Sequence, residues 1–453
     1  MKSRKPRPPG LGSFVLRSVP KDLAIVADCA IQTSTRDHQL MARDVDLPAL
    51  PVLPDSRLSV RLTKDALRQV RGGHPWIYGE SIVSVSNEDA PAGTLAVIFD
   101  DKRKFAAIGL WDPSSPIRIR VLHAGPPRQI DDAFWDDVVT RAHAARQGLA
   151  AAKTTGWRWI NGENDGIGGI IVDRYDQTLV VKVYTPAWLP HLRAILDALL
   201  RVDQPLRIVL RLGRSMEQSP EAGEAGLSDG MVIFGPDVFD VVEFEENGLR
   251  FGADVINGHK TGHFLDQRDN RAVVGSLAEG ADVLDVFCCT GGFTVHAAAG
   301  GAKSVHSVDI SAPAVATVTD NLASNGLEHV RHRQSVGDAF EVLASLGESG
   351  ERYDVVIVDP PAFASRASER DRAIRAYRKL TELSLNVLRP GGQLFQASCS
   401  SRVTENDLVG TVRSAVHGRG RNLGSVDVYG HAIDHPVTFP QGAYLKAILG
   451  VVS

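Results

Sequence analysis

The chain of 453 residues carries only four cysteines, Cys29, Cys288, Cys289 and Cys399, two of them adjacent and two far apart. That arrangement is neither a zinc-ligand spacing nor the framework of a small disulfide-stapled domain. Thiols kept in a reducing, cytoplasmic compartment are expected, and no metal is. No apolar run approaches the ~18 residues a bilayer crossing needs, so no membrane partner is expected. An excess of one charge is also missing, since 50 Lys and Arg against 54 Asp and Glu leave a net charge of −4. A nucleic-acid partner would therefore have to be held by a local basic patch. The first twenty residues lack acid but carry Lys2, Arg4, Lys5, Arg7 and Arg17, and Pro8, Pro9 and Ser13 deny them the apolar stretch of a secretory signal. A disordered basic tail, or a stretch ahead of the true start, is expected there. What is present, 43% hydrophobic and 23% charged residues, suits a globular chain with a sizeable core and excludes collagen, a wholly disordered chain and a coiled coil.

Four stretches differ in texture. Residues 1–56 are rich in Pro, Arg and Asp, and Pro48, Pro51 and Pro54 mark their end as a linker. Short β-rich runs at 58–62, 94–99, 105–110 and 117–121 then predict a small barrel-like module. Next, a helix-like segment at 134–152 precedes strand-like runs at 169–172, 179–183 and 207–210, with a polar, Gly-rich surface loop expected at 215–230. From about residue 245, continuous apolar runs at 282–287, 304–308, 353–358 and 393–397 alternate with helix-length segments at 294–299, 312–325 and 373–388. Strands apolar on both faces predict a parallel sheet covered by helices on either side, a doubly wound α/β domain whose ligand lies outside the carboxyl ends of its strands.

The motifs fall at those ends. The first strand runs into Cys288-Cys289-Thr290-Gly291-Gly292-Phe293, a glycine turn with neither dinucleotide nor phosphate-loop spacing. The next strand ends in Asp309, suited to both hydroxyls of a ribose, and the third leads to Asp338, suited to an adenine amino group. A glycine turn, a ribose acid and an adenine acid on successive strands describe an adenosine held without a pyrophosphate, which fits S-adenosylmethionine better than NAD. The fourth strand ends in Asp359-Pro360-Pro361-Ala362-Phe363, a stiff loop that aims Asp359 at the ligand edge with Phe363 available to stack on a flat ring. The fifth ends in Ser398-Cys399-Ser400. Cys399 reads either as a small buried hydrophobe or as a nucleophile in need of local activation. Upstream, the polar run 257–271 offers Lys260, Gln267 and Arg268 as clamps for a methionine carboxylate and amine, or else a solvated helix start. In the β module, Arg57, Arg61, Lys64, Arg68 and Arg71 precede His74, Trp76 and Tyr78, a pattern suited to phosphate contact with base stacking, and equally to a charged helix entering a turn.

Together the runs 71–78, 162–166 with 171–175, 260–271, 285–293, 359–363 and 398–400, with His435-Pro436 and 444–446, resemble the bacterial 23S ribosomal RNA (cytosine-5)-methyltransferase family. That family pairs an N-terminal PUA domain with a class I methyltransferase domain. The resemblance implies four parts: a disordered basic extension (1–56), a PUA-like RNA-binding domain (57–128), a central α+β domain (129–243) and an S-adenosylmethionine-dependent methyltransferase domain with a Rossmann-like sheet (244–453). It implies Cys399 as nucleophile and Asp359 as its assistant. The cofactor set expected is Phe264, Gln267, Arg268, Asp285, Gly291, Gly292, Asp309 and Asp338. The substrate set is Pro360, Phe363, Arg68, Arg71, His74 and Trp76, facing 23S ribosomal RNA or a pre-ribosomal particle, with a homodimer left open. The chain departs from the family at Cys289 and His263, where relatives usually carry aromatics, at His259, usually glutamine, and at Gly168, usually proline. Competing readings are a methyltransferase acting on a guanine or adenine nitrogen, a non-catalytic RNA-binding protein on the same scaffold, and a small-molecule methyltransferase.

Overall fold

The computed structural model describes residues 45–52, 56–364 and 366–453. The expected disorder of the basic tail falls on residues 1–44, outside the described part. Residues 45–50 depart from the reading of 1–56 as a free extension. Val45 is buried, Asp46 N–H donates to the Ile233 carbonyl at 2.7 Å, and Leu47 and Leu50 pack on the same core. These three apolar side chains dock the stretch on the central core. Among the described residues no helix is long and apolar enough to cross a membrane.

The β-rich module is a six-stranded sheet in the order Trp76–Tyr78, Ile117–Ala124, Phe105–Trp111, Leu95–Phe99, Leu58–Leu62, Ile82–Val85. Leu58–Leu62 alternates buried and exposed residues, so one face meets the core and the other meets water. Helix Lys64–Arg71 is capped by the Thr63 hydroxyl, which accepts from Ala66 N–H at 3.3 Å, and buries Ala66, Leu67 and Val70.

The central part is a five-stranded sheet, Met231–Phe234, Arg207–Leu212, Thr178–Val183, Ile170–Tyr175, Gly156–Asn161, packed on helices Asp132–Ala144 and Leu192–Val202. The helix expected over 134–152 is broken, ending at Ala144 and resuming only at Gly148–Ala151. The expected surface loop at 215–230 instead contains helices Arg214–Glu217 and Pro220–Glu224, with Met216, Ala222, Ala225 and Leu227 buried. Elements of one turn are too short for a 3.6-residue periodicity to show in the sequence.

The last part is a seven-stranded sheet in the order Arg331–Val336, Ser304–Asp309, Asp282–Val286, Tyr353–Val358, Leu388–Ser398, Lys446–Val452, Leu423–Tyr429. The first five are parallel, as expected. Lys446–Val452 enters antiparallel between Leu388–Ser398 and Leu423–Tyr429, a departure from a purely parallel sheet. Alternate residues of each central strand feed separate cores. Val283, Val355 and Ile357 join one face, with Val295, Val318 and Leu322. Leu284, Val356 and Val358 join the other, with Leu343, Leu380 and Val412. Helices cover both faces, and each fully buried apolar side chain contributes roughly 1.5–3 kcal/mol. The carboxyl ends of the parallel strands are thereby lined up along one edge.

Candidate active site

The edge is built by a loop with three left-handed residues, Phe287 (φ 67°), Cys289 (φ 50°) and Gly291 (φ 83°), ahead of helix Gly292–Ala299. A Cβ at Gly291 would lie 2.7 Å from Val318 Cγ1, and one at Gly292 would lie 2.8 Å from Arg271 Cδ, so neither position has room for a larger residue. Phe287 and Cys288 N–H both donate to the Val308 carbonyl, at 2.9 and 3.0 Å, fastening the loop to the next strand. Cys288 is buried, and burial pushes its thiol well above the ordinary range.

Asp309 stands at the end of that next strand. Its Oδ2 accepts from Cys289 N–H and its Oδ1 from Ser311 N–H, each at 2.9 Å, which fixes the carboxylate and leaves further lone pairs for donors outside the protein. Asp285 lies fully buried beneath the loop. Thr294 Oγ1 donates to its Oδ2 at 2.7 Å and shares a second bond with Ser307, while Oδ1 has no partner. Burial, tempered by Thr294, pushes its pKa up to about 7. Asp338 is exposed and caps helix Ala339–Glu348, its Oδ1 accepting from Phe340 and Glu341 N–H at 2.9 and 3.3 Å.

At the next two strand ends stand Asp359 and Cys399. Asp359 N–H donates to the Val286 carbonyl at 3.3 Å, and among the described residues nothing donates to its carboxylate. Burial, and then the neighbouring charge of Asp266, push it up to about 7. The Cys399 thiol is half-buried and donates to the Pro360 carbonyl at 3.7 Å. Burial, followed by Asp359, pushes the thiol up to about 11. A hydroxyl network ties the two loops together. Ser398 Oγ bonds Tyr377 OH at 2.8 Å, Tyr377 OH bonds Ser400 Oγ at 3.0 Å, and Ser400 Oγ accepts from Phe363 and Ala364 N–H at 2.9 and 3.3 Å. Phe363 is half-buried with its ring 5.1 Å from that of Tyr377, so its nearest aromatic partner is within the protein.

The 257–271 segment divides. Lys260 lies 4.3 Å from the Phe264 ring and pairs with Asp266 at 3.2 Å, and Asp266 also accepts from Tyr444 OH at 2.7 Å. Asp266 has an unpartnered Oδ1 and its charge is felt by both Asp359 and Cys399, yet nothing in the motif spacing singled it out. Gln267 is buried, with Asn270 Nδ2 donating to its Oε1. Arg268, expected as a free clamp, is 1% exposed, and its charge is already matched by Asp434 at 2.9 Å and Asp269 at 3.1 Å. A guanidinium that far from water needs such a counter-charge. Behind it, Arg271 makes two 2.6 Å bonds to Glu246, which also accepts from His296 Nε2 at 3.0 Å. His263 occupies an aromatic slot between Phe244 and Phe251, 5.1 and 5.3 Å away, where burial lowers its pKa to about 3.

The central part fastens this segment. Asp173 accepts from Arg158 at 2.7 and 2.9 Å and from Thr261 at 2.6 Å. The 162–166 turn is a joint as well: Asp165 pairs with Arg146, Asn164 takes Thr438 N–H at 2.8 Å, and Glu163 Oε1 accepts from Trp76 Nε1 at 2.9 Å. Trp76, expected as a stacking platform, is therefore engaged on two sides, its ring 5.0 Å from that of Phe439. His74 Nδ1 accepts from Trp76 N–H at 3.2 Å. Arg68 and Arg71 are exposed on their helix, paired with Asp65 and Asp100. Burial raises the Tyr78 hydroxyl, and the charge of Arg402 opposes it.

A family model described as S-adenosylmethionine-dependent methyltransferase matches residues 231–440, and one described as PUA-like domain matches 60–124. A ribosomal RNA large subunit methyltransferase of Deinococcus radiodurans is 45% identical over 403 residues, 88% of this chain and 98% of its own length. The chain belongs to the large-subunit ribosomal RNA methyltransferases. A ribosomal RNA large subunit methyltransferase I of Shewanella denitrificans is 33% identical to this methyltransferase over 402 residues, 87% of the chain and 99% of the relative. A SAM-dependent methyltransferase from Streptococcus mutans shares the fold, with a TM-score of 0.74 over 87% of this chain and 99% of that one at 19% identity. The methyltransferase uses S-adenosylmethionine. The cradle suits it: two glycines without room for a Cβ and a buried carboxylate oxygen left without a donor.

Proposed function

We propose that this methyltransferase modifies carbon 5 of a cytosine in large-subunit ribosomal RNA through a transient bond between Cys399 and carbon 6. What carries the reading is the pairing of a half-buried thiol with an unpartnered carboxyl group on adjacent strand ends, the Cys399 sulfur lying 3.7 Å from the carbonyl of the proline that follows Asp359. Carbon 5 of cytosine is a poor nucleophile until a thiolate adds at carbon 6. As the sulfur–carbon bond forms, the ring double-bond electrons become an enamine directed to carbon 5. Asp359, its carboxyl raised to about 7, is protonated often enough near neutrality to hold a hydrogen bond to ring nitrogen 3 as charge builds there. S-adenosylmethionine supplies an electrophilic methyl group when bound. Loss of the carbon 5 proton to a base then re-forms the double bond and expels the Cys399 sulfur. Gly291, Gly292, Asp285, Asp309 and Asp338 would hold the cofactor, and the target base must be unpaired or flipped to enter. Arg68 and Arg71 would meet RNA phosphates, and Pro360 and Phe363 would border the base.

An RNA carrying 5-fluorocytosine tests the route, because fluorine cannot leave carbon 5 as a proton does. A covalent protein–RNA band that needs S-adenosylmethionine and vanishes in Cys399→Ala is expected on a denaturing gel. Absence of that adduct, with ordinary RNA still methylated, overturns the reading.

Asp309→Ala removes the acceptor for two loop amides and for the ribose hydroxyls. Losing a hydrogen bond to a charged group costs about 1.5–3 kcal/mol, so cofactor affinity is expected to fall at least about tenfold by titration calorimetry, with the fold retained. Unchanged affinity would remove Asp309 from the ribose site.

A further inference from the structure

The antiparallel strand Lys446–Val452 opens directly opposite the nucleophile's strand, with Lys446 the register partner of Ser398. Its side chain is 6% exposed and turns under the Ser398–Ser400 bend, where Nζ donates to the Ser400 carbonyl at 2.5 Å and to the Tyr444 carbonyl at 2.9 Å. Both acceptors are neutral, and among the described residues no carboxylate pairs with this ammonium. A buried cation without an anion is costly and is kept only where something offsets it.

The charged and titratable groups around the bend are otherwise accounted for. Asp407 pairs with Arg370 at 2.5 Å and accepts from Thr404 N–H, and its charge also favours the Lys446 ammonium. Lys260 pairs with Asp266, and His431, whose Nε2 accepts from Leu445 N–H at 3.1 Å, is lowered by burial and in part by Lys446. Asp359 and Asp266 disfavour a negative sulfur, while Lys260 favours one. Tyr377, hydrogen-bonded to both flanking serines, is pushed up to about 12 by burial and stays neutral. That leaves, on either side of a single bend, an ammonium with no ion-pair partner among the described residues and a thiol facing two carboxyl groups and one lysine.

We infer that Lys446 is a positioning residue that favours the thiolate form of Cys399, its ammonium bonded to the carbonyl of Ser400 beside it. The inference rests on the proposed role of Cys399. In the resting protein burial lowers Lys446 to about 8, with Cys399 as the chief opposing influence, while the thiol lies near 11. The two groups therefore titrate as a pair. Between those values one proton leaves the pair. Ionisation of the thiol leaves an ammonium facing a thiolate, with the proton passing to solvent, whereas ionisation of the amine leaves both groups neutral. Approach of the base removes water from the bend and strengthens the attraction that favours the charged form.

Alkylation of Cys399 by iodoacetamide in the full-length protein, read by peptide mass spectrometry across pH, reports the thiolate without RNA or turnover. Lys446→Gln keeps donors for both carbonyls but removes the charge. Alkylation at neutral pH is expected to slow about tenfold, with the midpoint about one unit higher, since thiolate fraction follows pKa tenfold per unit. Lys446→Arg is expected to restore the wild-type profile. A folded Lys446→Gln with an unchanged profile overturns the inference. If that variant does not fold, Lys446→Met takes its place: a Cys399 midpoint above that of the folded wild type supports the counter-charge, and an unchanged one overturns it. Should Cys399→Ala still methylate RNA, the nucleophile itself fails whatever the alkylation profile. Should Cys399→Ala be inactive and the profile not move, only the role of Lys446 fails.

Discussion

Cys399→Ala is expected to lower methyl transfer to RNA by at least about a thousandfold, the scale of losing a nucleophile, while S-adenosylmethionine affinity and thermal stability stay near wild type. The side chain lost is small and half-buried, its hydrogen bond to the Pro360 carbonyl is a weak 3.7 Å contact, and the loops beside it are held by Tyr377 and the flanking serines. Rate loss without loss of fold would therefore report chemistry. The opposite outcome has a definite meaning as well. A variant that methylates at an undiminished rate would place the protein among enzymes that orient a base nitrogen with the Asp359–Phe363 loop and need no covalent step. Single-turnover methylation with radiolabelled cofactor separates the two.

The largest stability effect is expected at Glu246. Burial alone would raise its carboxyl, but Arg271 and His296 outweigh burial and hold it well below the ordinary carboxylate range. Glu246→Ala leaves Arg271 as a buried cation whose one remaining acceptor among the described residues is the Phe264 carbonyl, a loss of about 3–5 kcal/mol. Urea denaturation measures it, and a loss under 1 kcal/mol, on the order of an exposed pair, would show the cluster to be unimportant. The sign of the pH dependence follows. A carboxyl depressed in the folded state contributes stability that is present above its unfolded value and is lost as pH falls through that value toward the folded one. Because Arg271 Cδ lies under Gly292, the same change is expected to loosen the cofactor loop.

Much of the methyltransferase sheet was legible in the chain. Four apolar runs became four of the five parallel strands, and the acids and glycines closing them came to one edge, because a βαβ crossover returns every strand in the same direction. The fifth, Arg331–Val336, lies at the sheet edge, is polar and largely exposed, and left no apolar run to read. The antiparallel end was not legible, since Lys446–Val452 is as apolar as its parallel neighbours and strand direction leaves no mark on composition. The loop expected at 215–230 missed two short helices because their burial rests on a few side chains, Met216, Ala222, Ala225 and Leu227. Trp76 and Arg268 show a different limit. An aromatic beside basic residues, or an arginine in a polar motif, reads the same whether it faces a ligand or a partner far along the chain, and here Phe439, Glu163 and Asp434 were those partners.

Residue order by itself determined the layers, the glycine turn and which side chains close each strand, because those depend on local periodicity and on the few backbone conformations open to each residue. The tertiary structure alone decided which charges are matched and which are left over. Asp266, whose charge is felt by Asp359, and Lys446, whose ammonium bonds the Ser400 carbonyl next to Cys399, come together only in space, and the attraction between charges depends on distance and on how much water lies between them.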